Sequence, residues 1–223
     1  MIREIVYFFR HGPAISRAQK SMGRAEFSQM LAARLDEDGF AELRSELVCD
    51  LHGEILEVGT GTGTLLRYYG EAARVTAIEP DDEFRAAAEV AAKSSRADVR
   101  CIPGVGESLP FDDATFDAVT ASTVLCSVES VSRSLEEFKR VLRPGGSLRL
   151  IEHVRSDHAI AGPLMDLLNP VWLRLNKVGC NWNRRSVEAV RDAEFRNVDV
   201  KRYKIFSPVA PAAFPGALIK AEK

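Results

Sequence analysis

Two stretches of this chain combine residue types and spacings that can do chemistry. The first is Glu54-Ile-Leu-Glu-Val-Gly-Thr-Gly-Thr-Gly-Thr-Leu-Leu66, where an apolar run (Ile55, Leu56, Val58) leads into Gly59, Gly61 and Gly63. Thr64 to Tyr69 then reads as the start of a helix. A strand, a glycine turn and a helix in that order form a nucleotide-type loop. The glycines let the backbone turn tightly and approach a ligand, and a helix N-terminus offers free N–H groups. A dinucleotide fingerprint would need its third glycine at position 64, which is threonine. The loop instead carries an acid, Glu57, inside its strand. Glu79 closes the next apolar run, Arg74-Val-Thr-Ala-Ile78, about twenty residues beyond the start of the loop, where a carboxylate can accept from the vicinal hydroxyls of a ribose. A surface glutamate at a strand end is the plain alternative. The second stretch is Glu152-His-Val-Arg-Ser-Asp-His158. A carboxylate and an imidazole leaving a sheet at its ligand end, Glu152 and His153, are general-base candidates. A histidine that merely bonds a loop is the other reading. His153, Asp157 and His158 do not make a metal-ligand spacing, so no metal is expected there.

The elements that must position these residues follow from periodicity. Glu26 to Val48 carries Phe27, Met30, Leu31, Leu35, Phe40, Leu43 and Leu47 at mostly helical spacing, with Asp38-Gly39 as a break. One or two helices are expected over residues 1–48, either as a lid on a substrate pocket or as a simple cover for apolar surface. Strands are expected at 74–79, 98–102, 113–120, 147–151 and 195–203, with a last one near Ala217 to Ala221 after a proline-bearing tail from Pro208. Pro80-Asp-Asp opens a helix running through Ala92, and amphipathic helices are expected at 135–142 and 184–191. The apolar run Gly162 to Leu175 suits a wall over the ligand end of the sheet.

Bulk properties bound the rest. A chain of 223 residues suits one domain with a helical appendage. Its net charge of −2 gives no electrostatic case for nucleic acid or an anionic membrane. No apolar run is long enough to span a bilayer. The start is too short and too acidic for a secretory signal. Cys49, Cys101, Cys126 and Cys180 are scattered without a C-x-x-C pair, so neither zinc nor a disulfide framework is expected, and a reduced, cytoplasmic setting is. Cys126 reads as a reactive thiol or as a small buried one. Ile5-Val-Tyr-Phe-Phe-Arg-His-Gly12 imitates the strand-then-R-H-G opening of histidine phosphatases, but residue 50 onward already reads as a different complete domain.

Three features at their intervals resemble the class I S-adenosylmethionine (SAM)-dependent methyltransferases: E-x-G-x-G-x-G with Glu79, Gly106-Glu-Ser-Leu-Pro-Phe111, and Leu142-Arg-Pro-Gly-Gly146. The resemblance implies a Rossmann-like three-layer α/β sandwich, a mostly parallel seven-stranded sheet with its last strand antiparallel, a lid at 1–48 and a methyltransferase domain at 49–223. It implies SAM as methyl donor and S-adenosylhomocysteine as product. Glu57 would help hold the ammonium group, with Gly59, Thr60, Gly61 and Gly63 along the amino-acid end and ribose. Glu79 and Pro80 would sit at the ribose, Gly106 and Glu107 at the adenine, and Ser122 at the end of the fourth strand. Val105 stands where the family often has an adenine-binding aspartate. The phrases T-V-L-C-S-V, I-E-H-V, N-P-x-W and G-C-N are similar to those of mammalian alkyl thiol methyltransferases, whose N-terminal membrane anchor this chain is expected to lack. Related bacterial enzymes act on quinone precursors and phospholipid amines. The implied partner is a small, rather apolar acceptor, with no nucleic acid and no integral membrane segment. A silent SAM-fold partner subunit and a nicotinamide-dependent oxidoreductase are the rival readings.

Overall fold

Apolar strands alternating with amphipathic segments build a twisted sheet covered on both faces. The computed structural model describes residues 2–176, 179–206 and 213–223. Its strands are β1 (Gly53–Val58), β2 (Ala73–Ile78), β3 (Asp98–Ile102), β4 (Phe116–Ser122), β5 (Leu142–His153), β6 (Arg196–Phe206) and β7 (Ala213–Glu222). Its α-helices are α1 (Ile2–Ser21), α2 (Arg24–Leu35), α3 (Ala41–Val48), α4 (Asp82–Ala92), α5 (Val131–Val141), α6 (Ala161–Asn176) and α7 (Ser186–Asp192). The strand order is β3-β2-β1-β4-β5-β7-β6. Strands β1 to β5 pair in parallel, and β7 runs antiparallel to both β5 and β6. Residues 207–212, which carry the first prolines of the expected tail, lie outside the described residues.

Burial explains the layers. On α5, Ser134, Leu135, Phe138 and Val141 fall on one face and sink into an apolar cluster with Leu56, Val119, Leu148 and the α7 residues Val187 and Val190. Leu47 and Val48 of α3 join Ile55, Leu66, Tyr69, Val75 and Ile151 on the sheet's other face. Residues 40–48 therefore form part of that second layer. The expected break at Asp38-Gly39 is a π-helical turn, Asp36–Phe40, with Gly39 at φ 97°. The phosphatase-like start is helical rather than extended. The Arg143-to-Gly146 turn is absorbed within β5 as an irregularity: Phe116 pairs with Leu142 but Ala118 with Ser147. Among the described residues, no helix is long and apolar enough to cross a membrane.

One ion-pair cluster fastens the N-terminal segment. Arg44 is only 6% exposed; it pairs with Asp36, donates to Ala32 O at 3.2 Å and stacks over Phe40. Arg67, far more exposed, meets the same Asp36 from the solvent side. Burial separates their expected contributions. Arg44→Ala, which strips a buried carboxylate of its buried partner, should destabilise by about 3 kcal/mol in urea unfolding. Arg67→Ala should cost at most about 1 kcal/mol.

Candidate functional site

Strands β1 and β4 are neighbours from which the chain departs in opposite directions, to β2 on one side and β5 on the other. In open α/β sheets such a switch point opens a crevice beyond the strands' C-terminal ends. The glycine loop enters it directly from β1. Gly59, Gly61 and Gly63 all have positive φ, 64°, 57° and 78°. The helix expected from Thr64 does not form: turns lead into a single 3-10 turn, Leu66–Tyr68. The left-handed conformation at Gly63 keeps the chain turning, and burial of Leu65, Leu66 and Tyr69 pins the segment without a helix. A Cβ at Gly59 would lie 2.6 Å from the Val124 side chain, whereas one at Gly61 would meet nothing within 4 Å. The loop is thus closed on the β4 side and open at its tip.

Two polar groups behind this loop lack partners. Glu57 is 1% exposed, and neither its Oε2 nor the buried Thr60 Oγ1 accepts or donates a hydrogen bond. Burial pushes the Glu57 carboxyl up to about 7, with the nearby Thr60 and Tyr69 hydroxyls opposing. The Tyr69 hydroxyl is bonded to Thr120 Oγ1 at 2.7 Å. Glu79 is turned onto the loop: its Oε2 accepts from Gly61 N–H at 2.9 Å and its Oε1 from Asp81 N–H at 3.1 Å. Each oxygen retains a further lone pair. Pro80 is exposed beside it. Gly106 is buried against Val58 and Phe138, and Val105 is 45% exposed. Glu107 turns elsewhere, accepting from Glu129 and Ser130 N–H ahead of α5. Ser122 ends β4 half-buried, and Thr123 after it adopts φ 59°, a strained conformation for a β-branched residue.

The other side of the crevice gathers the second stretch. Glu152 is fully buried; Oε1 accepts from Val124 and Leu125 N–H at 2.9 Å each, and Oε2 from Cys126 N–H at 3.2 Å. Burial raises its carboxyl to about 7 against the pull of those donors. Its geometry is that of a tether for the loop after β4. His153 is half-buried, with Nδ1 3.4 Å from Cys180 Sγ. Burial lowers its imidazole, while Cys126 and Glu152 raise it by more, leaving it above its ordinary value. Cys126 is buried, and the neighbouring Cys180 thiol together with burial pushes it well up. The ligating atoms of Cys126, His153 and Cys180 all lie within 4.8 Å of one another.

Residues 161–176 and 179–185 roof this corner. Trp172 and Trp182 stack with centroids 4.9 Å apart, and Phe214 lies against both. Trp172 Nε1 donates to Cys180 O at 2.9 Å, Trp182 Nε1 to Met165 O at 3.0 Å, and Asn181 N–H to Cys126 O at 2.7 Å. His158, by contrast, is exposed. Thr123, Tyr69 and the Cys126–His153–Cys180 cluster escape sequence reading. A β-branched residue carries no sign of positive φ, and the three cluster residues are spaced 27 apart with no local signature.

Comparison with known proteins gives the same picture. A family model described as a methyltransferase domain matches residues 56–150. Human thiol S-methyltransferase TMT1A is 34% identical over 151 residues, 66% of this chain and 62% of that protein. A demethylmenaquinone methyltransferase of Chlorobaculum tepidum is 29% identical over 142 residues, covering 63% of this chain and 54% of the relative. The chain thus spans less than two thirds of the length of these relatives. The crystal structure of the YcgJ protein from Bacillus subtilis superposes with a TM-score of 0.67 over 84% of this chain and 98% of its own, at 16% identity.

The orphaned acid makes a pH prediction. An unfolded Glu57 releases its proton in the ordinary carboxylate range, but the folded one holds it to about 7, so this group's contribution to stability falls as pH rises between those values. Glu57→Gln should therefore raise the stability of the ligand-free protein at pH 8 by up to about 3 kcal/mol and leave it nearly unchanged at pH 4, measured as urea midpoints at both pH values.

Proposed function

We propose that this chain is a class I SAM-dependent methyltransferase that moves a methyl group from SAM to a small, rather apolar acceptor, with a thiol favoured. The observation that carries the reading is the pair of buried, unpartnered polar atoms, Glu57 Oε2 and Thr60 Oγ1, behind a glycine loop that is open at Gly61. A buried acceptor without a donor is costly unless a ligand completes it. An ammonium group beside a ribose is the chemistry that fits an acid at that depth, with Glu79 bonded to Gly61 of the same loop. We assign Glu57, Gly59, Thr60, Gly61 and Gly63 to the amino-acid end, Glu79, Pro80 and Ser122 to the ribose side, and Gly106 to the adenine. Glu107, whose Oε1 accepts from the backbone ahead of α5, is given no contact in this assignment.

Bound SAM supplies an electrophilic methyl group on a sulfonium. The chain's own work is orientation and exclusion of water. Val124, seated against Gly59, walls the crevice, and the stacked Trp172 and Trp182 with Phe214 give an apolar face for the acceptor. The N-terminal helices are assigned as a cover on the α4 side, where Arg24 at the start of α2 bonds Asp81 and Glu83. Glu152 is taken up by three backbone N–H groups, which favours an acceptor that ionises with little help. A thiol with an ordinary pKa near 8.5 is such an acceptor, and we assign His153, at the rim, to take its proton.

The test is a thermal melt with S-adenosylhomocysteine, SAM and NADH in parallel, followed by methyl transfer from labelled SAM to thiols, quinols and amines. Saturation at a hundred times the dissociation constant should stabilise by about 2.7 kcal/mol with the adenosyl-sulfur ligands alone. Paired Glu57→Ala and Glu79→Ala substitutions should abolish that shift. A shift with NADH alone would overturn the cofactor, and no shift with either adenosyl-sulfur ligand would favour a silent partner subunit.

A further inference from the structure

We propose that Cys126, His153 and Cys180 form a binding site for one zinc ion whose fourth position is open to the acceptor. Three observations carry it. The first is the ligand set itself: two thiols and an imidazole are the soft sulfur and nitrogen donors that zinc prefers, and a three-ligand Cys2His set leaves one position for an exogenous ligand. The second is spacing. Tetrahedral zinc with ordinary Zn–S and Zn–N bonds holds its ligand atoms about 3.5–3.8 Å apart. The three ligating atoms here lie within 4.8 Å of one another, with His153 Nδ1 and Cys180 Sγ already at 3.4 Å. Closing on a cation requires only side-chain rotation and movements of a few tenths of an ångström to about 1 Å.

The third observation is that the frame around the ligands is fixed. Cys126 N–H donates to Glu152, and Cys126 O accepts from both the backbone N–H and the Nδ2 of Asn181. Cys180 O accepts from Trp172 Nε1, and Asn181 is held in turn by Asn169 Nδ2. His153 sits at the end of β5, paired with Gly216 of β7. Three distant segments are thus locked so that their donors converge, as a preorganised site requires. Cys126 Sγ lies 3.3 Å from Thr123 O and 3.5 Å from Ser127 Oγ, contacts it would exchange for the metal.

The location gives the ion a task. Val124, two residues before Cys126, packs against Gly59 of the cofactor loop, so the cluster borders the crevice in which methyl transfer is proposed. There the acceptor thiol loses its proton to solvent as its sulfur becomes the fourth ligand, since a metal-bound thiol is deprotonated outright. That sulfur then attacks the methyl carbon; the new S–CH3 bond forms as the sulfonium's bond to that carbon breaks, and neutral S-adenosylhomocysteine departs. The resulting thioether is a weaker ligand and leaves the zinc. His153 then acts as a ligand, and the metal takes over the deprotonation assigned above to its rim position. This task rests on the methyl-transfer reading; binding of the metal does not.

The experiment separates the two. The full chain, purified under reducing conditions without a metal-affinity tag, is assayed for zinc by elemental analysis. It is then stripped with a chelator and titrated with Co2+, a zinc substitute with a visible spectrum. About one zinc per chain is expected, with Co2+ giving thiolate charge-transfer and tetrahedral ligand-field bands. Adding a small alkyl thiol should shift those bands. Cys126→Ser, Cys180→Ser and His153→Gln should each reduce metal content at least about tenfold while the melting shift with S-adenosylhomocysteine persists, which also reports that each variant folds. Absence of zinc and of cobalt bands in a wild-type chain that still binds S-adenosylhomocysteine overturns the site. So does a Cys126–Cys180 disulfide in the native protein, or metal content that survives all three substitutions. Bands that form but ignore the thiol overturn the open fourth position, leaving a structural zinc. Loss of the S-adenosylhomocysteine shift with normal cobalt bands would instead count against the methyl-transfer reading.

Discussion

The ligand end of this fold depends on the fully buried Glu152 carboxylate. The loop that leaves β4 turns away from the sheet at once, so its N–H groups lose their ladder partners in the interior, where an unpaired donor is expensive. Glu152 supplies two oxygens to three of them, at Val124, Leu125 and Cys126. Its register follows from the parallel pairing of β4 with β5, which sets Ser122 beside Ile151, one residue before the acid. The same tether holds Thr123 at φ 59°, a conformation that it would not keep unaided. Val124 against the glycine loop and Cys126 beside His153 are placed by one carboxylate.

The two sides of the crevice are built differently, and that difference decides what a sequence reader can see. The glycine-loop side is local. An apolar strand, three glycines and a carboxylate at the next strand's end sit within about thirty residues of chain, and the physics linking them acts through short loops. The sheet was legible for the same reason, since β2, β3, β4 and β5 each announce themselves by a run of apolar residues next to turn residues. Even there, the segment from Thr64 to Tyr69 reads as helical in composition and is not. Left-handed backbone at Gly63 and burial of Leu65, Leu66 and Tyr69 outweigh propensity in so short a segment.

The other side of the crevice is assembled from the loop after β4, the end of β5 and residues 179–185 ahead of α7. Cys126, His153 and Cys180 each look isolated in the sequence, and only the folded sheet with the Trp172–Trp182 stack above it brings them together. Glu152 illustrates a second limit. A carboxylate next to a histidine at a strand end has the composition of a catalytic pair, but composition carries no information about how many backbone donors will claim the oxygens. Residues 40–48 show the same limit in packing. Their periodicity suits a detached cover as well as it suits the interior layer that Phe40, Leu47 and Val48 help to form.

Glu57 and Glu152 make the relation between stability and function explicit. Both are buried carboxyls raised to about 7 by loss of water, yet their surroundings differ in kind. Glu152 has three donors and is satisfied within the chain, so its burial yields a fixed loop. Glu57 has an oxygen that makes no hydrogen bond within the chain, near a Thr60 hydroxyl that makes none either. A fold selected for stability alone would place an apolar residue or a paired one in the centre of β1, because a buried unpartnered acid lowers stability wherever it ionises. Keeping the acid there, behind a loop with open space at Gly61, makes sense where a cationic ligand completes it. In the proposed reading, the destabilisation of the empty site becomes binding free energy when that ligand arrives.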